Sequence, residues 1–421
     1  MALTFLHFAD LHLGVENHGR LDPATGLHTR IQDFSNSLGC AFDLAIEEEV
    51  DLVVFAGDAY KTCDPNPTHQ REFARQLRRL QQASIPIVLI VGNHDTPAAF
   101  GKATSIDIFG ALELDNTFVI RRPELLQIDT RNGPVQIAGL PWPTRNILRT
   151  HDDYKDLPQE EVTAQIQSIC AAQIGEFSRQ LKPEFPAILT AHIAAAEATY
   201  SGSERTALIG QDPTLLTSTL ANPLFDYVAL GHIHKYQDLH KGADPPVVYS
   251  GSLERIDFGE EREDKGFCIA SIDEDANAPR GRTTSFEFVP VAARRFVTVE
   301  LKIQPEKSPT DQIVAAIGAS PIEDAVVRIL YDLPATIEDP VDLEPIRRAL
   351  EPAFYIASIQ PRMVPRERPR RATVTEDLGL QEALDRYIEN NEHLDERRED
   401  LLRYALELEH QLEVLEGEQA S

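Results

Sequence analysis

At 421 residues the chain is longer than one hydrophobic core usually organises, so two or three domains are expected. Its formal charge of −28 argues against a surface built broadly from phosphate-binding lysines and arginines. No apolar run reaches 18 residues, which excludes a membrane-spanning helix, and the four cysteines form no Cys-x-x-Cys pair. Residues 1–4 lead directly into a strand-like run, so the expectation is a cytoplasmic protein with reduced thiols and no signal peptide.

Taken in chain order, five short apolar runs each end in side chains able to bind a metal. Residues 5–9 lead to Asp10-Leu11-His12, and residues 52–56 to Gly57-Asp58. Residues 85–91 lead to Gly92-Asn93-His94-Asp95, residues 187–191 to His192, and residues 227–230 to Gly231-His232-Ile233-His234. Runs this short and rich in Val, Ile and Leu predict buried strands of an α/β sheet. Such sheets place their sites just beyond the carboxyl ends of strands, where these blocks lie. Residues 30–49, 70–82 and 160–181 read as helices, and the polar passage 273–284 as a hairpin or loop.

A smaller α/β unit follows, with strands at 296–303, 325–331 and 354–359 and helices at 310–318 and 342–350. The domain boundaries predicted are 1–290, 295–361, a Pro- and Arg-rich linker at 362–375, and a helical region at 376–418 broken near Asn390-Asn391. That last region carries 15 acidic and 4 basic residues, net −11. Within it Leu401, Ala405, Leu408, Leu412 and Leu415 recur at 4-3-4-3 spacing, a narrow apolar seam suited to a partner helix.

The five blocks together mix carboxylate, amide and imidazole. That set suits two divalent ions of the Mn, Fe or Zn type sharing a bridging anionic oxygen, with Asp58 as the candidate bridge. Two such ions activate water and stabilise charge on an in-line phosphoryl transition state. Taken as extended segments, Asp-x-His and His-x-His would send both side chains to one side. Each block alone is an ordinary turn or helix cap; their order is what carries the inference.

That order resembles the calcineurin-like metallophosphoesterase superfamily. The flanks narrow the likeness. Phe8-Ala9-Asp10-Leu11-His12-Leu13-Gly14, Asp226-Tyr227-Val228-Ala229-Leu230-Gly231-His232-Ile233-His234-Lys235 and Tyr249-Ser250-Gly251-Ser252-Leu253-Glu254-Arg255 resemble the SbcD-type DNA nucleases. The last of these continues through Asp257-Phe258-Gly259-Glu260-Glu261 to Asp264-Lys265-Gly266-Phe267. The likeness covers about residues 1–290 and implies a β-sandwich core flanked by helices, a small α/β capping domain that helps position DNA, and C-terminal helices.

The resemblance also implies a site. Asp10, His12, Asp58 and His234 would hold one ion, and Asp58, Asn93, His192 and His232 the other. His94 would be the catalytic histidine that is not a ligand, with Asp95 as its orienting partner. Some relatives carry a further histidine three residues after the bridging aspartate, where this chain has Lys61. The family further implies manganese, 3′-to-5′ exonuclease action on duplex DNA ends, endonuclease action on single strands and hairpins, and a homodimer. Its partner is an SbcC-type ABC ATPase with a long coiled coil, met by the C-terminal helices. This chain has no Gly-x-x-x-x-Gly-Lys-Ser/Thr loop, so ATP dependence would come from that partner. The alternatives are a stand-alone metallophosphatase or cyclic-nucleotide phosphodiesterase, and a non-catalytic scaffold tethering DNA to the ATPase.

Overall fold

A computed structural model of the chain describes residues 2–99, 101–144, 158–202, 212–278, 280–334, 341–364, 384–385, 387–388 and 397–419. Two units are distinguished. One comprises Met1–Glu300, Val314–Leu330 and Leu343–Ile359; the other comprises Leu301–Ile313, Tyr331–Asp342 and Gln360–Ser421.

The first unit is built on two six-stranded sheets. One runs in the order Arg282–Pro290, Gly266–Glu274, Leu3–Phe8, Leu52–Phe55, Ile87–Ile90, Thr117–Ile120. Its last four strands are mutually parallel. The other runs Gln237–Asp238, Val247–Tyr249, Tyr227–Gly231, Ala187–His192, Gly133–Leu140, Glu124–Thr130, with a parallel centre and antiparallel edges. The passage read as a hairpin or loop at 273–284 joins Gly266–Glu274 to Arg282–Pro290, which pair antiparallel, Asp273 with Thr283 and Glu274 with Arg282.

Side-chain alternation sorts these strands into layers. Phe5, Val54 and Val88 from one sheet share a core with Ile137, Ile188, Tyr227 and Val248 from the other. Their neighbours Leu6, Phe8, Val53, Phe55 and Leu89 point outward against Phe34, Phe42, Phe73 and Leu77 of the helices Thr29–Glu47 and Pro67–Gln82. On the far side, Leu189, Val228 and Leu230 pack on Val162, Ile166 and Ile174 of the helix Gln159–Gln180. The result is the expected α/β sandwich, with strands buried on both faces and hence continuously apolar. The helix expected from residue 70 starts at Pro67, because Asn66 accepts the His69 N–H at 3.0 Å and proline suits the first helical position.

Strands Phe296–Lys302, Val326–Pro334 and Tyr355–Val364 form a three-stranded sheet in that order, alternating with helices Pro309–Gly318 and Leu343–Ala349. The last strand runs beyond residue 361 into the segment read as linker. Pro361 is tolerated there because the strand is at the sheet edge, and Arg362 Nε reaches Asp332 Oδ1 at 2.9 Å. The remainder of the linker and the break at Asn390-Asn391 lie outside the described residues. Near the C-terminus the helix Arg398–Gln419 carries Leu401 and Ala405 half-buried and Leu408 58% exposed; the side chains of Leu412 and Leu415 lie outside the described residues. Among the described residues no helix is long and apolar enough to cross a membrane.

Candidate metal centre

The parallel strands of both sheets end at one place. Asp10 and His12 follow Leu3–Phe8, Asp58 follows Leu52–Phe55, and Asn93 follows Ile87–Ile90. His192 closes Ala187–His192, and His232 and His234 follow Tyr227–Gly231. Two glycines permit the close approach. A Cβ on Gly92 would collide with Asp58 Oδ1, and one on Gly231 with the Ala56 carbonyl of the opposite sheet. Main-chain bonds hold the tails in register, Asp10 N to Gly57 O at 3.0 Å and His12 N to Asp58 O at 3.0 Å, and the Asp10 carboxylate accepts the His232 N–H at 3.0 Å.

One expectation about local geometry is corrected. Asp10 and His12 are not on an extended segment: their φ values are 52° and 47°, and those of Asp58 and His232 are 63° and 104°. Left-handed backbone, rather than strand alternation, turns these side chains inward. Each such residue without glycine's freedom costs about 1–3 kcal/mol, and such strain collects at functional sites.

The imidazoles face acceptors in a way that asks for cations. His192 Nδ1 lies 2.7 Å from the Ala56 carbonyl and must donate its proton there, so a metal that displaces the other ring proton meets Nε2 as a lone pair. That nitrogen faces Asn93 Oδ1 at 2.8 Å, and His232 Nδ1 meets the same oxygen at 3.0 Å. Likewise His234 Nδ1 lies 2.8 Å from Glu260 Oε1, so His234 Nε2 presents its lone pair to His12 Nε2 at 2.9 Å. Asp58 Oδ2 stands between the two groups, 3.6 Å from His12 Nε2 and 3.4 Å from His192 Nε2. Donor atoms of Asp10, His12 and His234 lie within 4.8 Å of one another, as do those of Asp10, Asp58 and His192. Lone pairs aimed at one another around a shared carboxylate fit two divalent ions on imidazole, amide and carboxylate ligands.

Titration behaviour agrees with a pocket that favours positive charge. Burial works against the charged form of Asp58, but His192, His12 and His94 outweigh it and hold the carboxyl well below the usual carboxylate range. Burial also disfavours a charged His192, yet Asp58 overcomes this and pushes its pKa up to about 9. His12 and His232, by contrast, are lowered chiefly by burial, which keeps them neutral and able to ligate.

His94 is exposed, while Asp10, His12, Asp58, His192, His232 and His234 are buried. Its backbone N–H donates to Asp58 Oδ1 at 2.8 Å, and its Nδ1 donates to the Lys61 carbonyl at 2.8 Å. The orienting role expected of Asp95 is therefore taken by a main-chain oxygen. The buried Asp95 carboxylate instead accepts the N–H groups of Asp58 at 2.9 Å, Ala59 at 3.1 Å and Gly92 at 3.0 Å, and the Ser105 hydroxyl at 2.7 Å. It ties two ligand-bearing loops together. Lys61 matters through its carbonyl, for which its side-chain identity gives no signal.

Sequence reasoning assigned no role to three neighbours of the site. Trp142, in a segment without a motif, lays its ring at 32° to His232 with centroids 4.9 Å apart. Glu260 and Lys265 sit inside the stretch that carries the SbcD-type likeness; acidic and basic residues a few positions apart on a loop usually signal nothing more than solvation.

The model of the calcineurin-like phosphoesterase family matches residues 3–236, more than half of the chain, and every predicted site residue from Asp10 to His234 falls within that span. The chain belongs to the calcineurin-like phosphoesterase family. It is accordingly a metallophosphoesterase-family hydrolase, with a His/Asp cluster whose donor atoms are placed to hold a metal ion. Among solved structures it is similar to a dimetal phosphatase from Danio rerio, at 12% identity and TM-score 0.37, covering 68% of this chain and 98% of that one. It is also similar to a protein from Thermus thermophilus, at 14% identity and TM-score 0.36, covering 68% of this chain and 99% of that one.

Proposed function

We propose that this phosphoesterase is the DNA nuclease subunit of an SbcC–SbcD-type complex. It would act as a 3′-to-5′ exonuclease on duplex ends and an endonuclease on single strands and hairpins, with manganese, as a homodimer. The observation that supports this reading over a general phosphatase is the engagement of Glu260 with His234. The stretch 249–267, which carries the SbcD-type likeness, supplies the hydrogen-bond partner of a candidate ligand.

Bound divalent ions would supply Lewis-acid activation of water and charge neutralisation at phosphorus. The chain's residues do the rest. Asp10, His12, Asp58 and His234 would hold one ion; Asp58, Asn93, His192 and His232 would hold the other. His94, exposed and with Nδ1–H fixed on the Lys61 carbonyl, can act in its doubly protonated form, in which the Nε2–H donates to a phosphoryl oxygen or passes to the leaving 3′ or 5′ oxygen. The charge of −28 predicts weak DNA affinity for the chain alone, so productive binding depends on the coiled-coil ATPase, docked through 376–418.

The test pairs end-labelled linear duplex DNA with bis-p-nitrophenyl phosphate, in Mn2+, with and without the ATPase. Nucleolytic release from duplex ends, lost in His94→Gln, is the expected outcome. Turnover of the small ester with DNA left intact under every condition would transfer the assignment to a metallophosphatase or cyclic-nucleotide phosphodiesterase. Capture of the ATPase by the full chain but not by one lacking residues 372–421 tests the docking region.

A further inference from the structure

His234 is gripped at both ends by the segment that follows the second sheet. At the ring, Nδ1 donates to Glu260 Oε1 at 2.8 Å. At the main chain, the His234 carbonyl accepts the Ser252 N–H at 3.0 Å and the Lys265 ammonium at 3.1 Å. Lys265 Nζ also meets Glu260 Oε2 at 2.9 Å and Glu263 Oε2 at 3.1 Å, and the Ile256 N–H donates to Glu260 Oε2 at 3.0 Å. Both Glu260 and Lys265 side chains are fully buried.

A buried Glu–Lys pair is a poor device for stability alone. The attraction barely offsets the loss of hydration, and an apolar pair of equal volume often does as well. What the pair can do here is aim an imidazole. A carboxylate on one ring nitrogen fixes the tautomer, sets the ring plane and raises the basicity of the other nitrogen. Lys265 bonds both the Glu260 carboxylate and the His234 carbonyl, so the ring partner and the backbone it must match are held by one group. The two ions differ in this: His192 uses the Ala56 carbonyl, and His232 Nε2 faces Asp212 Oδ2 at 3.6 Å, a looser partner than Glu260 is for His234.

We infer that Glu260, held by Lys265, is a positioning residue for the ion on Asp10, His12, Asp58 and His234, and that the ion on Asn93, His192 and His232 does not depend on it. The inference rests on the two-metal reading proposed above. It assigns residues 254–267 a role in metal affinity.

The experiment is Mn2+ titration of the full chain by calorimetry and electron paramagnetic resonance, comparing wild type, Glu260→Ala, Glu260→Gln and Lys265→Met. Wild type should bind two ions and show the spectrum of a spin-coupled pair. Glu260→Ala should keep one ion at wild-type affinity and weaken the other by about 10–100-fold, with loss of the coupled spectrum at two equivalents. Glu260→Gln, whose amide oxygen still accepts the Nδ1–H, should recover most of that affinity. The tautomer is read separately by nitrogen NMR of 15N-histidine-labelled chain without added metal, so that Glu260→Gln and Lys265→Met remain informative should Glu260→Ala not fold. His234 should be protonated at Nδ1 in wild type and mixed in Lys265→Met. Two wild-type-affinity ions in folded Glu260→Ala, or an unchanged His234 tautomer in Lys265→Met, would overturn the inference while leaving the metal centre intact. A wild-type chain that binds no Mn2+ would overturn the centre and the inference with it.

Discussion

Arg30→Met should destabilise the chain strongly at alkaline pH and mildly at acid pH. The Arg30 side chain is fully buried at the start of the helix Thr29–Glu47. Its guanidinium donates to Asp33 Oδ2 at 2.7 Å, Glu254 Oε2 at 3.3 Å and the Arg255 carbonyl at 2.6 Å. Among the described residues Glu254, itself buried, retains the hydrogen bonds of the Ser37 hydroxyl at 2.7 Å and the Arg294 N–H at 3.1 Å once Arg30 is gone. Methionine replaces the packing on Phe34 but not the charge, and stranding a buried carboxylate in this way costs about 3–5 kcal/mol. That is a large share of a total stability of about 5–15 kcal/mol. Burial already raises the Glu254 pKa, against the pull of Arg30, and removing Arg30 raises it further. A carboxyl whose folded pKa exceeds its unfolded value binds extra protons when folded, so stability rises as pH falls through the folded value. Urea unfolding followed by circular dichroism at pH 8 and pH 5.5 measures both effects, and Glu254→Gln added to Arg30→Met should recover part of the loss at pH 8. A loss under about 1 kcal/mol, or one equal at the two pH values, would refute the buried-charge account.

Three further outcomes follow from the site. His94→Gln should lower the cleavage rate by about 10²–10⁴-fold with two ions still bound by elemental analysis, since it removes a proton donor and no ligand. Lys61→Ala should leave that rate within about twofold, because His94 uses only the Lys61 carbonyl; a loss like that of His94→Gln would show that the ammonium takes part. Mn2+ affinity at the ion on His192 should climb by about tenfold per pH unit between pH 7 and 9 in calorimetric titrations, because the proton that Asp58 favours on that imidazole, with its pKa of about 9, competes with the metal.

How much of this was legible depends on where each signal is stored. The strands before Asp10, Asp58, Asn93, His192 and His232 are short apolar runs because they are buried on both faces, so their existence and order can be read directly. The convergence of their ends follows from parallel topology, and the glycines at 92 and 231 mark where chains nearly touch. Other features have no side-chain code. The carbonyls of Lys61 and Ala56 orient two histidines through groups that every residue possesses. Asp95 sits next to His94 in sequence, yet three backbone N–H groups compete for its carboxylate and win. The family likeness implied a dyad; hydrogen-bond demand made a loop clasp.

The left-handed ligand residues give the same point an energetic consequence. Asp10, His12, Asp58 and His232 each hold a positive φ that glycine would adopt freely, but glycine has no donor atom. At about 1–3 kcal/mol each, their combined strain approaches the net stability of an ordinary domain. The sandwich must therefore over-determine these loops, through bonds such as Asp10 N to Gly57 O and the Asp95 clasp, and ion binding must add to it. Saturating Mn2+ at about 1,000 times its Kd adds about 4 kcal/mol per site, which chemical denaturation with and without chelator can resolve. Should the chelated and Mn2+-saturated proteins unfold at the same urea concentration, the strained loops are not a metal site. Their geometry would then need another purpose.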